Sequence, residues 1–103
     1  MNNIFNFAEA LIEKASKIIL KNHKKIRNIS YKTGHSNLVT NVDKEVEALI
    51  VKEIVSRYPE HSIIAEESGL RKRNPDYQWF IDLLMAQQTL HIVILFSVHQ
   101  LLL

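Results

Sequence analysis

Acidic residues close two short apolar runs of this chain. Glu66 and Glu67 follow Ser62-Ile63-Ile64-Ala65, and Asp82 follows Tyr77-Gln78-Trp79-Phe80-Ile81. A carboxylate at the end of a buried strand is costly unless a cation neutralises it, and carboxylate oxygens are the donors that hard cations such as magnesium prefer. Glu66, Glu67 and Asp82 together therefore suggest a hard-metal site. Solvated carboxylates at strand ends are also common, and spacing alone leaves both readings open. The histidines His23, His35, His61, His91 and His99 have no tight metal spacing, and a zinc site needs convergent ligands. They read as scattered side chains. With no cysteine, thiolate metal sites, disulfides and cysteine nucleophiles are excluded together.

The elements that position these acids can be read from periodicity. Phe7, Leu11, Ala15 and Ile18 recur at helical spacing, with Ala8, Ile12 and Ile19 beside them, so Ile4 to Ile19 is expected to be a first helix. Lys21, Lys24, Lys25 and Arg27 then suit the negative end of its dipole and are expected to be solvated. A polar break from Lys32 to Asn37 precedes a second helical face made by Val42, Val46, Leu49, Ile50 and Ile54. Thr40 or Asn41 could cap this helix, and Pro59 must stop it. Ser62 to Glu67 and Tyr77 to Asp82 read as two strands, with a polar loop from Ser68 to Asp76 between them. Two amphipathic helices of this kind should pack on something flat.

The chain has 103 residues, enough for one domain with a single small core. At 47% hydrophobic and 23% charged residues it is globular in composition. A formal net charge of +2 is too small to imply a nucleic-acid partner without a localised basic face. The stretch Ile92 to Leu103 is interrupted by Ser97, His99 and Gln100 and falls short of the roughly 20 residues needed to span a bilayer, so no membrane segment is expected. The N-terminus lacks a secretory pattern, which makes a cytoplasmic location the default expectation.

Several ordered motifs then carry more weight than any single residue. Asn37-Leu38-Val39-Thr40-Asn41-Val42-Asp43, Tyr58-Pro59-Glu60-His61 leading to Ala65-Glu66-Glu67-Ser68-Gly69, and Trp79-Phe80-Ile81-Asp82 closely resemble the inositol monophosphatase family, continuously from residue 4 to residue 82. The resemblance implies an α/β fold: the N-terminal fragment of a layered αβαβα sandwich, with two antiparallel helices packed on the first strands of a sheet. It also implies Mg2+-dependent hydrolysis of a phosphomonoester by metal-activated water. On the family pattern Glu66 and Asp82 would be magnesium ligands through their carboxylates, and Leu84 through its backbone carbonyl. Asp43 and Glu67 match acidic positions behind the ligands, Asp43 supporting a threonine that orients the attacking water, and Lys32 aligns with a basic position near the site. Ala65 stands where the family has Gly. A small phosphorylated substrate such as an inositol phosphate is the implied partner, and a family homodimer is compatible with the same resemblance.

The pattern ends abruptly. After Asp82 the family reads Pro-Leu-Asp-Gly-Thr-Thr-Asn-Phe, whereas this chain reads Leu83-Leu84-Met85-Ala86-Gln87-Gln88-Thr89-Leu90. Met85 replaces a bridging carboxylate, and a soft thioether is no substitute on magnesium. Ala86 and Gln87 replace the Gly-Thr that opens a phosphate-holding helix. If the family motif is written GAT CCT CTT GAT GGC ACA ACA AAC TTT, deleting one C after GAT gives GAT CTC TTG ATG GCA CAA CAA ACT TT. That reads Asp-Leu-Leu-Met-Ala-Gln-Gln-Thr, and then Leu if the next base is A or G, as at residues 82 to 90. The expected organisation is therefore residues 1–82 as the N-terminal part of the family domain and residues 83–103 as a frameshifted tail running to an early stop. The tail could add a strand from about Ile92 to Val98. The sheet would keep an unpaired edge and an uncovered face. The expected function is a phosphatase of this family, impaired in this chain; the alternative is a catalytically inactive remnant acting at most as a protein-interaction fragment.

Overall fold

The computed structural model describes residues 2–33, 37–86 and 89–98. Helix α1 spans Asn2–Thr33, well past the expected end near Ile19. No Gly or Pro occurs before Gly34, so nothing in the backbone chemistry stops the helix earlier. Lys21, Lys24, Lys25 and Arg27 consequently lie inside α1, and the expected dipole pairing at its end does not apply to them. Of the expected polar break, Lys32 and Thr33 belong to α1 and Asn37 to α2, and residues 34–36 lie outside the described residues.

Helix α2 spans Asn37–Arg57, so Thr40 and Asn41 lie within it and cannot be its caps. The penalty for Thr or Asn inside a helix is only about 0.5 kcal/mol, and a buried face outweighs it. Val42, Val46, Ile50 and Ile54 form that face, all at most 3% exposed. The helix ends two residues before Pro59, as expected. Lys14, in the first half of α1, reaches Glu53, near the end of α2, at 2.7 Å, as an antiparallel pair requires.

Four strands follow: β1 His61–Ala65, β2 Gly69–Arg71, β3 Asn74–Ala86 and β4 Thr89–Val98. They form one mixed sheet in the order β2-β1-β3-β4. Strand β1 runs antiparallel to β2 and parallel to β3, and β4 is antiparallel to β3 through ten residue pairs from Tyr77↔Val98 to Ala86↔Thr89. The expected polar loop thus contains β2 and the start of β3. Gly69, with φ of 79°, takes the left-handed turn that lets the chain fold back beside β1. Ser62, a buried hydroxyl, fastens the return to β3: its Oγ accepts from the Arg73 N–H at 2.8 Å and donates to the Asn74 carbonyl at 3.2 Å.

Alternation sets the two faces of the sheet. Ile63, Ala65, Trp79, Ile81 and Leu90 point to the helices and join Leu11, Ala15 and Ile19 in the core. Trp79 is fully buried, with Phe96 of β4 against it at 4.6 Å between ring centroids and Phe7 of α1 edge-on at 5.8 Å. The opposite face is open: Ile64, Leu70, Leu84 and Leu95 are 36%, 55%, 46% and 59% exposed. Residues 83–86 prolong β3 and residues 89–98 build β4, so the segment beyond the family pattern contributes to the core. Neither described helix is long and apolar enough to cross a membrane.

Candidate metal centre

The acids singled out above depend on the parallel pairing of β1 and β3. Its register sets Ile64 beside Phe80 and Ala65 beside Ile81. One step further along both strands come Glu66 and Asp82, at corresponding positions where the β1–β3 ladder ends. β1 stops there, whereas β3 runs on to Ala86, so Asp82 lies inside its strand and not at the end expected for it. Both acids line one open hollow of about 370 Å³ on the helix-free face, floored by Ile64, Phe80, Val93 and Leu95. Both are exposed, so water reaches them freely.

The other candidates are less convergent. Leu84 lies two residues beyond Asp82 on the same face of β3, paired with His91, and is not part of the hollow's lining. Glu67 occupies the turn after β1 and is exposed. Asp43 is half-buried on α2 and does not line the hollow either. Lys32 falls in the last turn of α1, and its side chain is outside the described residues. Among the described residues no three His, Cys, Asp or Glu side chains converge as a ligand cluster. The donor chemistry of Glu66 and Asp82 nevertheless suits magnesium, which commonly takes one or two carboxylates and keeps several waters.

One acid at this end of the molecule escaped the sequence reading. Glu47 of α2 is 1% exposed. Its carboxylate accepts the backbone N–H of Glu67 at 3.1 Å, the N–H of Ser68 at 2.6 Å and the Ser68 hydroxyl at 2.8 Å. The available signal was its place on the stripe Asp43, Glu47, Ile50 and Ile54, where an acid adjoins core residues at helical spacing.

Phosphate binding by a helix N-terminus needs the chain to turn helical soon after Asp82. Here β3 continues as strand to Ala86, with β4 beginning at Thr89, so the described residues there form no such cradle.

Two helices packed on one face of a mixed four-stranded sheet, with Glu66 and Asp82 side by side on the other face, define an α/β fold fragment. Residues 1–82 match the sequence model of the inositol monophosphatase family, and the chain belongs to that family. Among curated relatives, the Nus factor SuhB proteins of Vibrio cholerae and Haemophilus influenzae are 44% and 42% identical to it over 84 residues, which is 80% of this chain. The chain spans about a third of those relatives' length, 32% in each case. Among solved structures, inositol monophosphatase-II from Staphylococcus aureus superposes with a TM-score of 0.65 at 25% identity, covering 93% of this chain and 37% of that one. The Anabaena inositol monophosphatase gives 0.52 at 26% identity, covering 88% and 36%. These matches bear out the expected family and the fragment of its fold.

Proposed function

We propose that this chain carries the metal-holding half of a Mg2+-dependent phosphomonoesterase site and that hydrolysis by it is strongly impaired. The observation that carries the reading is the placement of Glu66, one residue past β1, level with Asp82 of the adjacent parallel strand β3, both lining one hollow. Their carboxylates would hold the ion, with the Leu84 carbonyl as a third donor. Bound magnesium would lower the pKa of a coordinated water and neutralise phosphate charge. Asp43 and Glu67 would support the water and the ligands, and Lys32 would attract the anionic ester of a small phosphorylated substrate such as an inositol phosphate. The setting of this reading is cytoplasmic, in a family that also leaves room for a homodimer.

The impairment follows from residues 83–103, read as an out-of-frame tail. Met85 offers a thioether where a carboxylate is needed, and the strand through Ala86 stands where a phosphate-binding helix would begin. Assaying inositol 1-phosphate hydrolysis with Mg2+ tests this directly. Weak turnover that vanishes in Glu66→Gln and Asp82→Asn is expected, with a large gain when one base is restored after codon 82. If the restored frame does not encode Asp-Gly-Thr-Thr-Asn, the frameshift explanation fails. A second reading, an inactive fragment that binds another protein, draws on relatives that carry the name of a factor rather than an enzyme. Retained folding with no turnover at all would favour it.

A further inference from the structure

A carboxylate withdrawn from water is unfavourable unless its lone pairs are filled, and in Glu47 they are spent on one target. All three hydrogen bonds run from residues 67 and 68 to a side chain 20 or 21 positions earlier in sequence. The turn they fix, Glu66 to Ser68, otherwise leads out of β1 into solvent, and its residues are all exposed. An exposed three-residue turn would ordinarily sample several conformations. Charge-assisted bonds to two successive backbone N–H groups remove that freedom, because they fix the peptide planes themselves. The first peptide plane so fixed joins Glu66 to Glu67.

We propose that Glu47 is a positioning residue for Glu66: by clamping the Glu67 and Ser68 amides it holds the end of β1 so that the Glu66 carboxylate stays over the hollow beside Asp82. This rests on the metal reading of Glu66 and Asp82 proposed above. The role is distinct from ligation, since the Glu47 oxygens are occupied by the turn and the residue is not part of the hollow's lining. Buried on the helix that also carries the core residues Val46 and Ile50, it couples the packing of α2 to the geometry of an otherwise solvent-exposed acid. Groups that orient metal ligands in this way typically change metal affinity 10–100-fold when removed.

The test uses the full chain and Mn2+ as the probe, with affinity read from paramagnetic broadening of the Glu66 and Asp82 amide resonances and turn order read from hydrogen exchange at Glu67 and Ser68. Glu47→Gln, which places an amide NH2 or a single carbonyl oxygen against the two N–H donors, is expected to accelerate exchange at both amides and weaken Mn2+ about tenfold or more. Ser68→Ala, which removes only the hydroxyl donor, is expected to have a smaller effect of the same kind. Ile54→Val provides the structural control: it trims the core of the same helix, and its Mn2+ affinity is expected to equal that of the wild type. Faster exchange in Glu47→Gln with unchanged Mn2+ affinity overturns the positioning role alone. Equal losses in Ile54→Val and Glu47→Gln also overturn it, by assigning the effect to general destabilisation. A wild type whose Mn2+ broadening is insensitive to Glu66→Gln overturns the metal reading itself, and the positioning role with it.

Discussion

The indole Nε1 of Trp79 donates a hydrogen bond to Nδ1 of His61 across 3.0 Å, and both residues are buried. The imidazole lies between Tyr58, stacked at 4.7 Å, and Tyr77, stacked at 4.9 Å. The bond fixes the neutral tautomer, because an acceptor Nδ1 must be unprotonated. Burial acts in the same direction, pushing the imidazole below its ordinary value of 6.5 through desolvation of the charged form.

A pH dependence follows, and its sign is set by that depression. Above 6.5 both folded and unfolded chains carry a neutral His61, so its contribution is fully present. As the pH falls below 6.5 the unfolded chain binds the proton first, and stability is lost until the lowered folded value is passed. His61→Asn keeps an acceptor near the Nδ1 position and does not titrate. The difference in melting temperature between wild type and His61→Asn, followed between about pH 5 and pH 8, is expected to be flat at the upper end and to turn against the wild type at the lower end. A difference that stays constant over the whole range would remove His61 as the cause.

Phe96 and Leu95 are neighbours in β4 with opposite surroundings. Phe96 packs on Trp79, whereas Leu95 is 59% exposed on the other face. Phe96→Ala is expected to cost about 2–3 kcal/mol in chemical denaturation, at or below the roughly 3–5 kcal/mol usual for aromatic truncation in a core because the site is only partly buried. Leu95→Ala is expected to stay within about 0.5 kcal/mol. Equal, small effects would mean that residues 89–98 do not pack on the domain in solution.

This pair also shows what the sequence could and could not reveal. The helix faces were legible because Leu11, Ala15, Val42, Val46, Ile50 and Ile54 repeat at helical spacing, and all are buried. The extent of α1 was not, because lysines after Ile19 suggest an end where only Gly34 removes helical preference. The strand from about Ile92 to Val98 was legible as an apolar run and is found as Thr89–Val98. Its facing was not, since Val93 and Leu95 are as apolar as Ile92 and Ile94 and only the pairing with β3 orients them. Of the candidate site, Glu66 and Asp82 were legible as acids following two apolar runs, and both line one hollow. Glu47 was not, because a single Glu on a helix gives no sign that its partners are backbone N–H groups twenty residues away.

Gly69 offers a clean separation of backbone strain from crowding. A Cβ at this position would meet nothing within 4 Å, yet its φ of +79° lies in the left-handed region. Gly69→Ala is therefore expected to cost about 1 kcal/mol through conformation alone. Hydrogen exchange should show the loss concentrated in β2 and the turn before it, with the β3–β4 ladder unaffected. A cost near zero would indicate that the turn relaxes to another conformation without penalty.

The open face of the sheet makes self-association the remaining expectation. Strand β4 is an edge of the sheet, and between Thr89 and Val98 it carries no Lys, Arg, Asp, Glu or Pro, the residues that usually protect such an edge. Leu95, Leu84, Leu70 and Ile64 add exposed apolar surface on the same side. Hydrophobic burial and unfilled edge amides then both favour contact between copies, while a net charge of +2 opposes it only weakly. Sedimentation velocity is expected to show concentration-dependent association of the wild type. Leu95→Lys should suppress it with little change in denaturation midpoint, because a lysine at this exposed position keeps its ammonium in water and forces any incoming apolar strand to desolvate it. Association that persists unaltered in Leu95→Lys would place the contact elsewhere, with exposed Phe5 and Leu20 on α1 as the next residues to substitute.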